Sequence, residues 1–386
     1  MNNLQEKIRN ILTLRYDPRG NTVLPKLGWR SFTETKGIAV AIKPAIEGAI
    51  IRSLKTNPYS NIGIGISGGV DSTTVLALIR KNFPNRKINS YCVTFGTSTK
   101  EVETAQYVSD LYNTDHKHIN ISNPLCRADE LIKIVDEPRW NVYPTYLFEA
   151  AKADGCQVIF TGDGGDELFG GYTFRYQHIL DDMSTKSAEQ RYLDAHSRDW
   201  VDTQKQLFAF DFRWEDIYKI VNPYFNNPLP DTGKIFLADY NGKLLYDFEP
   251  TSRKLAANIG IDIVAPFLEP EVLHLATHLP FNLKYDRVNN IGKIILRQIL
   301  LESSAFKPVT WVKTGWGMNI SELWEKHGYQ MATQLLSPDS LCVSQNLINP
   351  EWFVDGFSKA DSSNLPYVSK MLQLIALELW LKGKEE

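Results

Sequence analysis

Cysteine is scarce in this chain: there are four in 386 residues, Cys92, Cys126, Cys156 and Cys342, far apart and with no Cys-x-x-Cys pair. Zinc sites and dithiol redox motifs therefore lose support, and scattered thiols fit a reducing cytosol. An excess of one charge is lacking too. The formal net charge is −3, without the positive surplus that binding a phosphate backbone needs. The ten Lys/Arg against four Asp/Glu in residues 1–60 are scattered and read as solvated surface. No apolar run approaches the ~18–20 residues of a membrane span. The start, Met1-Asn-Asn-Leu-Gln-Glu-Lys7, lacks the basic-then-apolar pattern of a secretory signal. Neither nucleic acid nor membrane is expected as a partner, and the expected location is the cytoplasm. Internal repeats and low-complexity tracts are also missing.

What is present is a folding composition, 43% hydrophobic and 23% charged, in a chain long enough for about two or three domains of about 100–200 residues. From residue 36 strand-like and helix-like stretches alternate. Strands are expected at Asn61–Ile66, Ile88–Phe95, His116–Ile121 and Gln157–Thr161, with helices at Ile38–Leu54, Val70–Ile79, Glu101–Leu111 and Pro144–Ala153. Pro44 should lie near a helix start or kink the helix. Strands separated by helices of about ten to fifteen residues argue for parallel βαβ units, whose ligands bind outside the carboxyl ends of the strands. Both glycine-rich loops of the sequence fall at that end. Beyond Tyr172 helical periodicity dominates. The expected fold is α/β, a parallel sheet with helices on both faces, followed by a mostly helical C-terminal half.

The first loop, Ile66-Ser-Gly-Gly-Val-Asp-Ser72, joins a strand to a helix. Glycines let a backbone approach an anion, and a helix N-terminus points its N–H groups at it. Ser67 and Ser72 add donors. Asp71 would repel phosphate unless a cation intervened, which implies Mg²⁺ between carboxylate and phosphate. Neither a Walker loop nor a dinucleotide fingerprint fits. Ser67-Gly-Gly-Val-Asp-Ser72 resembles instead the pyrophosphate-binding loop (PP-loop) of the N-type ATP pyrophosphatases, with an adenine nucleotide alpha hydrolase-like fold. These enzymes cleave ATP between the α and β phosphates.

The second loop, Thr161-Gly-Asp-Gly-Gly-Asp-Glu-Leu-Phe-Gly-Gly-Tyr172, sets Asp163, Asp166 and Glu167 among five glycines. So many acids would repel one another unless a metal or an ammonium-like group sits between them. The string is similar to the second signature of the asparagine synthetase family, in its synthetase domain. Tyr91-Cys-Val-Thr-Phe95, Pro266-Phe-Leu-Glu269, Lys293-Ile-Ile-Leu-Arg297 and Lys313-Thr-Gly-Trp-Gly317 resemble further family segments, so the likeness runs over about residues 36–320. It implies residues 36–180 as a PP-loop ATP-binding core and 181–386 as the helical part completing the active site. Residues 1–35, with Leu12-Thr-Leu-Arg-Tyr-Asp-Pro18, resemble the interdomain linker of longer relatives. Glutamine-dependent members begin with a cysteine after the initiator Met, where this chain has Asn2; a synthetase half standing alone is expected.

Carried onto this chain, the resemblance implies ATP and Mg²⁺ as cofactors. Gly65, Ser67, Gly68, Gly69, Asp71, Ser72, Val93, Thr161 and Gly162 would bind the nucleotide, Gly65 and Val93 holding adenine through the backbone. Asp71 and Asp166 would hold the metal. Asp163 would help deprotonate ammonium, Lys313 would stabilise the pentavalent centre and leaving pyrophosphate, and Tyr172 either contacts the acceptor or packs beneath the loop. The expected reaction is activation of a carboxylate, aspartate first, as an acyl-adenylate, followed by amide formation with ammonia. The partners are a small-molecule carboxylate and ammonia, with a separate glutaminase subunit as another nitrogen source and a homodimer as the expected assembly.

Two departures concern the acceptor. Arg139-Trp-Asn141 follows Asp136-Glu-Pro138 where many members carry small residues, and Val264 stands where the family's Glu-x-Arg-x-Pro has arginine. They favour a family ligase acting on another carboxylate, such as a sugar acid, a peptide or a natural-product intermediate. A nucleotide-binding regulatory protein is the reading from a different class. The histidines show no catalytic or metal spacing, and His116 and His118 read as structural.

Overall fold

The computed structural model describes residues 1–56, 61–96, 99–302 and 318–385. The chain opens with helix α1 (Asn3–Leu14), started by a capping box in which Asn2 and Gln5 satisfy each other's backbone N–H. Five strands follow: β1 (Ile62–Gly65), β2 (Ile88–Phe95), β3 (Asp115–Ile121), β4 (Val158–Phe160) and β5 (Asp262–Val264). They lie in the order β3-β2-β1-β4-β5 with every neighbouring pair parallel. The chain winds outward from β1 to β3 and then restarts on the other side at β4. The crevice between β1 and β4 is thus the topological switch point, where open parallel sheets bind ligands.

Helices cover both faces, as parallel strands require. On one face α2 (Ala39–Thr56), α3 (Val70–Asn82) and α4 (Thr99–Leu111) pack against Ile62, Ile64, Cys92, Val158 and Phe160. On the other, α5 (Ala128–Val135), α6 (Pro144–Ala153) and the helix Glu249–Ile259 pack against Tyr91, Val93, Phe95 and Ile159. Strand alternation separates the two sets. Gly63 and Gly65 stand on the second face, where a Cβ would lie 3.3 Å from Ala151 Cβ and 2.9 Å from Leu147 Cδ2. Bare backbone there lets α6 close on the sheet. Pro44 sits inside α2; the carbonyl it leaves without an N–H, four residues back, belongs to Val40, which is exposed.

The expected strands and helices of the sheet are all present. β5 and α5 were missed, the former because three residues, Asp-Ile-Val, carry too little alternation to read. The remainder is mostly helical. The helix Leu365–Glu385 is buried almost continuously from Tyr367 to Leu381, which makes it a core element that the sequence did not suggest. Lys370 Nζ on that helix donates to the Leu12 carbonyl at the end of α1, to Asp199 O at 2.9 Å and to Gln373 Oε1 at 2.8 Å. It thereby ties the two ends of the chain together. The cysteines form no disulfide. His116 and His118 bond Ser90 and Thr94 inside the sheet, as structural residues do.

Candidate functional site

After β1 the chain turns at Ile66, whose N–H donates to Tyr91 O at 2.8 Å, and enters α3 through Ser67, Gly68 and Gly69. Gly68 has φ +74°, and a Cβ on it would lie 2.3 Å from Thr104 Cγ2. Glycine is required on both counts. Gly69 N–H donates to Ser67 Oγ at 3.3 Å. Both residues are exposed at the start of α3, while Ser72 is buried and donates to Gly69 O at 3.4 Å. Val93, expected at the site, lies in β2, which runs on past β1: their pairing stops at Gly65 and Tyr91.

β4 delivers the second loop beside the first. Thr161 N–H donates to Val264 O at 3.0 Å, stitching the loop to β5. At Gly162 a Cβ would lie 2.8 Å from Asp71 Cβ, and at Gly165 it would lie 2.4 Å from the Asp71 carboxylate carbon. The two glycines form a cradle that a side chain would fill. The short helix α7 (Gly165–Phe169) is flanked by Gly164 at φ +82° and Gly170 at φ +79°, and carries Asp166 in its first turn. Burial pushes the half-buried Asp163 carboxyl above its ordinary pKa, opposed by the Thr161 hydroxyl and reinforced by Glu249 and Asp71. Glu167 is 4% exposed, accepts from the Tyr172 hydroxyl, and is pushed up to about 7 by burial and by Asp166.

One residue absent from the predicted site stands at its centre. The two-stranded hairpin formed by Tyr285–Asp286 and Ile291–Gly292 packs on the second loop so closely that a Cβ on Gly292 would lie 2.0 Å from Gly170 O. Lys293 follows with left-handed backbone (φ 60°, ψ 36°), its N–H bonded to Phe169 O at 2.9 Å. Its Nζ forms ion pairs with Asp71 Oδ2 and, at 2.7 Å, with Asp166 Oδ1. Burial alone would lower its pKa, but the Asp166 and Asp71 carboxylates outweigh burial and raise it. The Lys-x-x-Leu-Arg match marked this lysine, and the clustered acids implied an ammonium-like neighbour. Nothing in the sequence joined the two across the 222 residues from Asp71 to Lys293.

Asp71 and Asp166 also fit Mg²⁺, which takes one or two carboxylates, waters and substrate phosphate oxygens. They converge on a single point inside the glycine cradle. Among the described residues no group of three or more His, Cys, Asp or Glu could hold a metal ion. Bound there, Mg²⁺ would neutralise phosphate charge.

Tyr172 closes the second loop, stacked under the Arg175 guanidinium 3.6 Å from its ring centroid. Burial raises its pKa well above the tyrosine value. It faces a small cavity of about 20 Å³, room for one water, which Glu167, Arg175, His196, Asp199, Asp239 and Lys243 also line. Arg139, 5% exposed, is tied to Asp247 at 2.8 Å and to the carbonyls of Arg15 and Tyr246. It is a clamp on the N-terminal segment. Asp136 is engaged with Trp380 Nε1 at 3.0 Å and with Lys384. Val264 remains beside Thr161 at the end of β5. Lys313 lies outside the described residues. No helix among the described residues is long and apolar enough to cross a membrane.

Two glycine loops at the switch point of a parallel sheet, with a carboxylate on each, define a PP-loop ATP-binding fold. The family model of asparagine synthase matches residues 45–382, and the chain belongs to that family. Over 128 residues it is 32% identical to a putative glutamine-hydrolyzing asparagine synthetase of Methanocaldococcus jannaschii, covering 31% of this chain and 24% of that protein. Over 231 residues it is 26% identical to a probable glutamine-hydrolyzing asparagine synthetase of Dictyostelium discoideum, covering 52% of this chain and 40% of that protein. The chain thus spans less than half the length of these relatives. Among solved structures, an NH3-dependent NAD synthetase from Campylobacter jejuni aligns with a TM-score of 0.27 at 18% identity, over 35% of this chain and 60% of its own.

Proposed function

We propose that this chain is an ATP-dependent amide-forming ligase, with aspartate as the first-choice acceptor and asparagine as product. The convergence of Asp71 and Asp166 on one cation-sized point beside the loop Ser67–Ser72 carries the reading. A carboxylate oxygen attacks the α-phosphorus, the α–β anhydride bond breaks, and pyrophosphate leaves. The nitrogen lone pair of ammonia then attacks the acyl carbon, the acyl–oxygen bond breaks, and AMP leaves. Gly65 and Val93 hold adenine through the backbone, and Ser67, Gly68, Gly69, Ser72, Thr161 and Gly162 hold phosphates. A metal on Asp71 and Asp166 would offset their charge. Asp163, with its raised pKa, accepts the ammonium proton, and Lys313 steadies the leaving pyrophosphate. Tyr172 lines the acceptor side.

A second reading, a different carboxylate as acceptor, rests on Trp140 and Val264, because Arg139 is engaged elsewhere. Pyrophosphate release from ATP and Mg²⁺ separates the two readings, measured with aspartate plus ammonium and with a panel of other acids. Release with aspartate, with AMP and asparagine formed, supports the first. Release only with another acid moves the chain to the second. Silence throughout with ATP still bound points to a regulatory role or to a missing partner subunit.

A further inference from the structure

Asp71 on α3 and Asp166 on α7 come from different loops, and two carboxylates meeting at one point stay charged together only with a cation between them. In this structure that cation is part of the chain: the Lys293 ammonium bridges both, in a residue only 6% exposed. The surroundings are shaped around it. A Cβ on Gly171 would lie 2.6 Å from Lys293 Cε and 1.8 Å from Asp166 Oδ1, so glycine alone leaves room for the pair. The lysine backbone is held in a left-handed conformation that non-glycine residues seldom adopt, pinned by its N–H on Phe169 O. Backbone is fixed, while the four-carbon stem above it keeps rotatable bonds of its own.

Mg²⁺ sits 2.0–2.1 Å from its oxygens, so the point between these carboxylates cannot hold a dication and the ammonium together. Free Mg²⁺ would have to expel Lys293 and leave a buried charge without its counter-ions. ATP changes that balance, since a phosphate oxygen offers the displaced ammonium a new partner. We propose that Lys293 is a tethered stand-in for the metal, a positioning residue that keeps Asp71 and Asp166 together and free Mg²⁺ out until nucleotide and metal enter as one. The inference rests on the proposed reading of Asp71 and Asp166 as metal ligands.

The test measures protein-bound Mn²⁺ by electron paramagnetic resonance on the full chain, for the wild type and for Lys293→Met, with and without an α,β-methylene ATP analogue. Without nucleotide, Lys293→Met is expected to bind Mn²⁺ at least about tenfold more tightly than the wild type, because its facing carboxylates have lost their resident cation. With the analogue, both proteins take up Mn²⁺. Equal nucleotide-free affinities overturn the inference while leaving the metal-ligand reading intact. Failure of both proteins to bind Mn²⁺ even with the analogue overturns that reading and the inference with it. A measurement that needs no variant to fold is the wild-type melting temperature. It should stay put with Mg²⁺ alone and rise with Mg²⁺ plus analogue; a rise with Mg²⁺ alone overturns the inference.

Discussion

Gly171 lies so close to Asp166 that a Cβ there would fall 1.8 Å from the carboxylate oxygen Oδ1. Its φ is outside the left-handed region, so alanine would be disfavoured by crowding alone. What must give way is the end of the Asp166 side chain and the stem of Lys293. Gly171→Ala should therefore misplace the site more than it destabilises the fold. The expected result is about a 10²-fold fall in pyrophosphate release, with about 1–3 kcal/mol of stability lost. Full activity in this variant would mean that Asp166 is not needed where it stands.

Asp71→Asn and Asp166→Asn remove one charge each from the pair that carries the proposed function. Turnover should fall at least about 10²–10³-fold, the scale of losing one preorganised electrostatic group. Lys293 keeps one carboxylate in either variant, so the fold should survive, checked by circular dichroism. Undiminished pyrophosphate release would sink the assignment of both residues.

The contrast between these acids and Lys293 shows what could be read in advance. Asp71, Asp163 and Asp166 sit in glycine loops whose local pattern places them at the end of the sheet, because strand, turn and helix start are neighbours in sequence. Lys293 reaches the same point only through a hairpin that packs on Gly170, a contact with no local signature. The place of Arg139 is hidden for the same reason. Its neighbours in sequence suggested the acceptor pocket, while its partners Asp247, Arg15 and Tyr246 lie more than a hundred residues away along the chain. β5 was invisible because its strand character comes from pairing with β4 rather than from its own three residues.

Arg139→Met tests the clamp directly. Asp247 is fully buried, and the substitution leaves it with Arg15 at 3.1 Å as its remaining ion-pair partner among the described residues. Removing one member of a buried charge pair costs about 3–5 kcal/mol; the remaining arginine should hold the loss to about 3 kcal/mol, read from urea unfolding. The acceptor profile should stay as in the wild type. A changed acceptor preference at unchanged stability would return Arg139 to the substrate pocket.

Lys284 gives a pH dependence of known sign. It is fully buried, its Nζ has no hydrogen-bond partner among the described residues, and the rings of Phe236, Phe32 and Phe281 lie 5.0, 5.7 and 5.8 Å from it. Burial lowers its pKa to about 7, against a smaller upward pull from Glu34. Between pH 7 and about 10.5 the unfolded chain therefore binds a proton that the folded chain does not, and stability rises with pH through that window. Below pH 7 the penalty is at its full size, at most about 5 kcal/mol and reduced by the attraction of the rings for the cation. Lys284→Met removes the group. The variant should be a few kcal/mol more stable than the wild type at pH 6–7, and the gap should close towards pH 10. Other titrating groups are common to both proteins and cancel in the difference. Urea unfolding at pH 6, 8 and 10 measures it, and a gap that does not change with pH would show that Lys284 folds as a charged residue.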